Sequence, residues 1–222
     1  KKIMYESRVN STNLLLNSCK KIGIKPATFI CASAMGIYDQ DEKKEIDENG
    51  EKGTDWVAKM ALDWESASNK FKELGTRVVQ IRISLIFSKI GGFLKYNLLS
   101  LKYGIGIIAG DPNRKINWMY IDDIVSFIQN TLEDDKIIGP YNLNTDDKIT
   151  QVKLIKTIRK KIFPYSIILK IPNFMIDLLL GEKSKIINTK IILNNTKLKN
   201  TGFKCKYNTF EQLINNYNET NN

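Results

Sequence analysis

A serine that follows a buried strand is the first residue in this sequence that could do chemistry. Ser33 comes directly after residues 27–32, a short apolar run that is typical of a strand buried on both faces of a parallel sheet. Open α/β sheets bind their ligands at the carboxyl ends of such strands. The Ser33 hydroxyl would therefore hydrogen-bond a ligand there; the alternative is that it only hydrogen-bonds a turn.

A lysine further along the chain is the second candidate. Lys59 has Asp55 four residues before it and Asp63 four residues after it, a spacing that places all three on one face of a helix. One interpretation is a solvated salt-bridge face, which the spacing alone favours. The other is a lysine that holds a cofactor ribose and lowers the pKa of a nearby hydroxyl.

The pattern of apolar residues predicts the elements that must position these side chains. Residues 3–23 fit a helix, and residues 77–83 form a β-branched run that fits a second strand. Between the two strands a polar loop leads into a helix with one apolar stripe, which predicts its core-facing side: Trp56, Met60, Trp64, Ala67, Phe71 and Leu74. Strand, helix and strand in this order predict an α/β fold with a parallel sheet.

Other signals mark the ends of elements. Thr54 or Asp55 can cap the helix with the apolar stripe, and Asp122 or Asp123 can cap a later one. The rest of the chain predicts a helix over 93–103, a glycine-rich turn over 104–110, a strand over 140–143, and helices over 150–162, 173–180 and 209–217.

The composition excludes several classes of site. The 222 residues contain no His, so Ser-His-Asp and Cys-His nucleophilic machinery and His-containing zinc sites cannot be built from this chain. Its 3 Cys are widely spaced, which predicts an intracellular, reducing compartment rather than a disulfide framework. A net charge of +10 without a basic block argues against nucleic acid as a partner. No apolar run reaches the ~20 residues of a membrane span, so we expect no membrane partner.

Several segments together resemble the extended short-chain dehydrogenases/reductases, and within them the atypical nucleoside-diphosphate-sugar epimerase-like branch of the SulA/YfcH type. The resemblance covers nearly the whole chain. The segments that carry it are Ser7-Arg8-Val9 with Thr12, Ala32-Ser33-Ala34-Met35-Gly36-Ile37-Tyr38, Asp63-Trp64-Glu65, Arg82 with Gly91-Gly92, Asn117-Trp118-Met119-Tyr120-Ile121-Asp122-Asp123, Gly139-Pro140-Tyr141-Asn142, Leu180-Gly181-Glu182, and Leu198 with Thr201-Gly202-Phe203-Lys204-Cys205-Lys206-Tyr207.

The resemblance implies roles for the first two candidates. Ser33 matches the active-site serine that hydrogen-bonds the substrate, and Lys59 matches the lysine of the Tyr-x-x-x-Lys pair, which binds the nicotinamide ribose. The position of the catalytic tyrosine holds Asp55, and a carboxylate does not replace a phenol of pKa near ~10 without large tuning. Tyr38, just past the Ser33 strand, is a possible substitute acid; the alternative is a rim or packing aromatic.

The resemblance also implies contacts around a cofactor, NAD or NADP. Ser33, Lys59, Arg82 and Ser84 would lie around it, the last two at the end of the second strand. Arg114 and Lys115 could meet substrate phosphates, or they are exposed loop charges. Tyr120 stands where the family usually has a histidine.

The family begins with a Gly-x-x-Gly-x-x-Gly turn that binds the dinucleotide pyrophosphate, and this sequence has no such motif. We therefore expect an N-terminally truncated chain. Residues 1–148 would be an incomplete NAD(P)-binding Rossmann-like domain of a doubly wound parallel sheet, with a substrate-side insert at about 85–120, and residues 149–222 a small, mostly helical C-terminal domain.

Two functions remain open from the sequence. One is an NAD(P)-dependent epimerase or dehydratase-like oxidoreductase that acts on a sugar nucleotide or another small carbonyl or hydroxyl substrate. The other is a catalytically impaired nucleotide-binding pseudoenzyme with a sensing or partner-binding role. The sequence predicts a small-molecule substrate and leaves the oligomeric state open.

Overall fold

The computed structural model describes residues 1–39, 45–180 and 190–219. Its helices are α1 (Lys2–Tyr5), α2 (Ser11–Ile22), α3 (Trp56–Asn69), α4 (Gly92–Lys102), α5 (Ile121–Glu133), α6 (Gln151–Lys161), α7 (Asn173–Leu180), α8 (Thr196–Asn200) and α9 (Phe210–Glu219). Its strands are β1 (Thr28–Ala34), β2 (Glu45–Ile46), β3 (Arg77–Ile83), β4 (Leu85–Phe87), β5 (Ile105–Ala109), β6 (Lys115–Ile116), β7 (Trp118–Tyr120), β8 (Gly139–Leu143), β9 (Ile149–Thr150), β10 (Ile167–Ile171) and β11 (Ile192–Leu193).

The central sheet has three parallel strands in the order β1, β3, β8. Helices cover both of its faces. α2 and α3 pack on one face, where Leu16 of α2 and Phe71, in the short 3₁₀ helix Lys70–Leu74 that follows α3, bury Val78. α5 packs on the other face, where Phe127 contacts Tyr141. The α/β prediction with a parallel sheet is confirmed.

The C-terminal third does not form its sheets alone. β9, β10 and β11 each pair with a strand from the first part of the chain, namely β6, β5 and β2. The largest core likewise joins Leu94 of α4 to Ile155 of α6 and Phe210 of α9. The predicted insert near 85–120 therefore packs against the C-terminal helices. The predicted boundary between residues 148 and 149 stays a prediction.

The predicted glycine-rich turn over 104–110 is wrong. Residues between its ends form β5, which pairs in parallel with β10. Gly104 and Gly110 flank the strand with φ of 91° and 75°, a left-handed conformation that favours glycine. The glycines thus turn the chain at both ends of a strand whose interior is mostly isoleucine.

Two details of the helices also differ from the sequence analysis. Asp122 and Asp123 lie in the first turn of α5 but do not cap it, and Asp123 instead accepts the Lys206 backbone N–H at 2.6 Å. Gly23 follows the last residue of α2 in a left-handed conformation with φ 73°. Asp55 caps the start of α3 as predicted, because its side chain accepts the Ala58 N–H. The motif residues Gly181 and Glu182 lie outside the described residues.

The predicted apolar stripe is confirmed in part: Met60, Ala67 and Phe71 are buried, and its other three members are half-buried. The other buried positions of α3 include Ala58, Ala61, Glu65 and Ser68, a stripe of small and polar residues. Trp64 is only half-buried and lies 5.5 Å from the Arg8 guanidinium. The small residues let the helix approach the strands closely, and they leave Glu65 as the charged group under the helix.

Candidate functional site

Three polar side chains lie side by side across the carboxyl end of the central sheet. The parallel register pairs Ser33 of β1 with Arg82 of β3, and Arg82 with Asn142 of β8. Partners in register project to the same face of a parallel sheet, here the face that α3 covers. All three are buried. The arrangement forms a polar row in the place where α/β sheets bind ligands.

Glu65 joins α3 to this row. The Arg82 guanidinium donates to both Glu65 oxygens at 2.8 Å, a two-point ion pair, and the Ser33 hydroxyl donates to Oε1 at 2.7 Å. Burial alone would lower the pKa of Arg82, but hydrogen bonding to Glu65 and its charge outweigh burial and hold that pKa above its usual value. Arg82 is therefore a permanent cation at the centre of the site.

Tyr38 is part of the same network. Its phenol donates to the Asn142 Oδ1 atom at 2.6 Å and accepts from Arg82 Nη1 at 2.8 Å. The residue is 0% exposed. Burial raises the pKa of Tyr38 to about 12, although the Arg82 charge opposes this. Its geometry fits a packing aromatic, and the role of substitute acid stays a prediction without support from these contacts.

Glu48 completes the network from the loop after β2. Its carboxylate accepts the Asn142 backbone N–H at 2.8 Å, and its carbonyl oxygen accepts from Arg82 Nη1 at 2.6 Å. The loop is thereby held against the carboxyl ends of β3 and β8.

Replacing Tyr38 with phenylalanine tests which interpretation holds. We expect Tyr38→Phe to lower the free energy of unfolding by about 1–3 kcal/mol, because Arg82 and Asn142 each lose a buried partner. Urea unfolding measures this loss. Tyr5→Phe is the matched control, since Tyr5 donates to Asp63 at the surface, and its effect should be smaller. A catalysed reaction that slows strongly in Tyr38→Phe, with stability unchanged, would instead support the acid role.

Lys59 does not join the network. It lies on the exposed side of α3, between the buried positions Ala58 and Met60, and forms no ion pair among the described residues. Asp55, at the position of the family's tyrosine, caps the helix with its side chain. The ribose-binding role of Lys59 stays a prediction, and its exposed ammonium is not placed beside Ser33 by any contact of the described chain.

The remaining predicted contacts have different surroundings. The Ser84 hydroxyl donates to the Leu143 carbonyl at 2.6 Å and so joins the end of β3 to β8. Arg114 is half-buried, and its Nε has no hydrogen-bond partner among the described residues. Burial lowers the pKa of Arg114. Lys115 is exposed at the start of β6.

Three residues of the network carried no predicted role. Glu65 and Asn142 were noted only as parts of family-like segments, and Glu48 lies in the polar loop predicted between the two strands. For Glu65 a local signal exists, because a carboxylate interrupts small residues at helical spacing from Ala58 to Ser68. For Asn142 none exists, since only strand register places it beside Arg82.

The parallel sheet with helices on both faces, and a serine at the carboxyl end of its first described strand, define an α/β protein with a Rossmann-like fold. "Epimerase family protein SERP0438" of Staphylococcus epidermidis is 30% identical over 220 residues, which cover 96% of this chain and 72% of that protein. The chain belongs to the epimerase family. No protein-family model matches the chain.

Solved structures share the fold over nearly the whole chain. Human epimerase family protein SDR39U1 (isoform 2), solved with NADPH, superposes with a TM-score of 0.82 at 18% identity and covers 95% of this chain and 73% of its own. UDP-glucose 4-epimerase of Thermotoga maritima, solved with UDP-glucose, superposes with a TM-score of 0.73 at 19% identity and covers 98% of this chain and 71% of its own. These likenesses show the fold.

Proposed function

We propose that the chain is part of an NAD(P)-dependent epimerase or dehydratase-like oxidoreductase that acts on a sugar nucleotide or another small carbonyl or hydroxyl substrate. The observation that carries the proposal is the position of Ser33, at the carboxyl end of a parallel strand and in register with Arg82. Its hydroxyl donates its one proton to Glu65, so its oxygen would orient the substrate by accepting a hydrogen bond from the reacting hydroxyl. Membership of the epimerase family supports the same reaction class.

The cofactor part of the proposal rests on relatives. Ser33, Arg82 and Ser84 already use their polar groups on Glu65, Glu48, Tyr38 and the Leu143 carbonyl, and Lys59 stands apart on the exposed side of α3. The four predicted cofactor contacts therefore do not form a dinucleotide cradle among the described residues. NADPH in the human relative and NAD in an epimerase of Bacillus cereus support a nicotinamide cofactor.

A sugar nucleotide is supported by the surroundings of Arg114. Burial of the Arg114 guanidinium is only partly offset by the charge of Asp111, and its buried Nε lacks a hydrogen-bond partner among the described residues, which a phosphate oxygen would supply. Lys115 adds a second positive charge beside it. The UDP-glucose bound to the Thermotoga maritima enzyme is a ligand of this anionic class.

Ser33→Ala tests the proposal. We expect turnover of a sugar nucleotide, followed by nicotinamide absorbance, to fall by about 10²-fold, because one hydrogen bond to the reacting oxygen is lost. NADPH affinity, measured by fluorescence titration, should stay within about twofold. Ser18→Ala is the control, since Ser18 bonds only the Leu14 carbonyl on exposed α2. Turnover that is equal in Ser33→Ala and in the unchanged protein would overturn the role of Ser33.

The second candidate is a nucleotide-binding pseudoenzyme with a sensing or partner-binding role. It is favoured by a specific observation: Asp55 is committed to capping α3, and the Tyr38 phenol is buried and hydrogen-bonded. Tight NADPH binding without any change of nicotinamide absorbance on adding sugar nucleotides or carbonyl compounds would favour it over the enzyme.

A reducing compartment is also proposed, since Cys19, Cys31 and Cys205 are all free thiols. No helix in the part of the chain that the structure describes combines the length and apolar character that a membrane span needs.

A further inference from the structure

Lys52 is a half-buried lysine in the loop between β2 and α3, and neither the family resemblance nor the proposed reaction uses it. Its Nζ donates to the Gly50 carbonyl at 2.6 Å and to the Glu48 carbonyl at 3.1 Å. The Nζ atom lies 4.6 Å from the centre of the Tyr38 ring, and the backbones of Tyr38 and Lys52 form an antiparallel bridge. The amine is thus held in one place just beyond the carboxyl end of β1.

A second cation binds the same oxygen. The Glu48 carbonyl that accepts from Lys52 also accepts from Arg82 Nη1 at 2.6 Å. Because Arg82 cannot lose its proton, a protonated Lys52 would place two positive charges around one carbonyl oxygen. A cationic neighbour of this kind is a known way to activate a lysine as a nucleophile.

The other charged groups near Lys52 reduce this repulsion only in part. Glu65, Asp47 and Glu48 favour the ammonium, but Glu65 is already paired with Arg82. Burial, and after it the charge of Arg82, lower the pKa of Lys52 to about 8. Close to half of the Lys52 side chains therefore carry a neutral amine near pH 8.

The hydrogen bonds of Lys52 are complete in the neutral form. A neutral amine has two N–H groups, and the Gly50 and Glu48 carbonyls accept both of them. Its lone pair then points away from these two oxygens. The third proton of an ammonium has no oxygen acceptor within the described parts of the chain, and the contact of Nζ with the Tyr38 ring favours the charged form only weakly.

We propose that Lys52 is a nucleophilic amine that binds small aldehydes or ketones covalently as an imine. The Nζ lone pair attacks the carbonyl carbon and a C–N bond forms. The carbonyl oxygen then leaves as water, which takes both amine protons, so that no oxidant or reductant is needed. Protonation of the imine nitrogen from solvent restores one N–H for the Gly50 carbonyl. This site goes beyond the proposed function and does not depend on it.

Reductive alkylation of the folded, unmodified protein tests the proposal. Glycolaldehyde is added with cyanoborohydride, which reduces an imine to a stable secondary amine, and peptide mass mapping gives the rate at each lysine from pH 7 to 10. At pH 8 a lysine with a pKa of about 8 has about 100 times the neutral fraction of an ordinary lysine with a pKa near 10.4. Partial burial slows access of the aldehyde to Lys52 and reduces this advantage. We therefore expect Lys52 to react at least about tenfold faster than exposed Lys59 at pH 8. Its rate should level off above pH 9, while the Lys59 rate keeps rising.

Lys197 is the matched control for an oxygen shared with Arg82, because burial and, more weakly, the Arg82 charge lower its pKa as well. Its Nζ also donates to two carbonyls, those of Ile138 at 3.2 Å and Pro140 at 2.8 Å, and lies 4.1 Å from the centre of the Tyr141 ring. No guanidinium shares either oxygen among the described residues. We expect Lys197 to react more slowly than Lys52, and in 8 M urea all three lysines should react alike. Labelling of Lys52 no faster than of Lys59 or Lys197 would overturn the proposal.

Discussion

Replacing Glu65 with glutamine should lower the free energy of unfolding by about 3–5 kcal/mol, the usual cost of leaving one partner of a buried ion pair unmatched. The Arg82 guanidinium would keep its charge, with its side chain 4% exposed. Of its two acceptors at 2.8 Å, one would become an uncharged amide oxygen and the other an NH2 donor. Ser33 would lose a charged acceptor at the same time. Urea unfolding followed by tryptophan fluorescence measures the loss.

Glu73→Gln is the matched control for this substitution. Glu73 pairs with Lys20 at 2.6 Å, but the two side chains are 58% and 44% exposed. Exposed pairs are screened by solvent and contribute little, so the control should change stability little. The double variant Glu65→Gln with Arg82→Met should lose less than the sum of the two single variants, because no charge is then left unpaired. Additive losses, or equal losses for Glu65→Gln and Glu73→Gln, would show that the pair does not organise the site.

The second large effect is expected at Phe210, the first residue of α9. Phe210 is 0% exposed, and its ring packs edge-on against Phe87 and Trp118 with centroids 5.8 and 6.1 Å away. Phe210→Ala should cost about 3–5 kcal/mol, since it removes a ring from a closed core and leaves a cavity. Differential scanning calorimetry measures the change, which should appear in one cooperative transition because α4, α6 and α9 share this core.

Phe174→Ala is the control for the loss of a phenylalanine ring. Phe174 on α7 is 71% exposed, so its removal should change stability by less than about 0.5 kcal/mol. Phe210→Ala that unfolds in two separate transitions would contradict a core shared between the insert and the C-terminal helices. It would favour an independent C-terminal domain.

Much of the fold could be predicted from local sequence. The strand at residues 27–32, the β-branched strand at 77–83 and the helix that begins after Asp55 all appear in the structure. Each depends on periodicity and caps within a few residues, which neighbouring backbone groups enforce. The segment 104–110 was predicted as a turn but contains β5, because glycines that turn the chain at both ends of a short strand make the segment as glycine-rich as a single turn.

The face of α3 could not be predicted in the same way. The large apolar residues predicted a stripe of which Met60, Ala67 and Phe71 are buried. Close packing of a helix on a sheet also selects small residues, so Trp64 lies at the margin of the buried side. The same rotation turns Lys59 outwards and Glu65 inwards. The rotation of α3 about its axis decides which of its side chains meet the site, although the helix itself was predicted correctly.

The sequence by itself determined the α/β class, the position of Ser33 at the carboxyl end of a strand, and the exclusion of histidine chemistry; the predicted burial of that strand is only partial. These follow from residue types and from contacts a few positions apart. Only the tertiary structure decided that Arg82, Asn142, Glu65 and Tyr38 meet at Ser33, with residue separations of up to 104 positions. Strand register and helix rotation set such contacts, and both are chosen by long-range packing that no local pattern records.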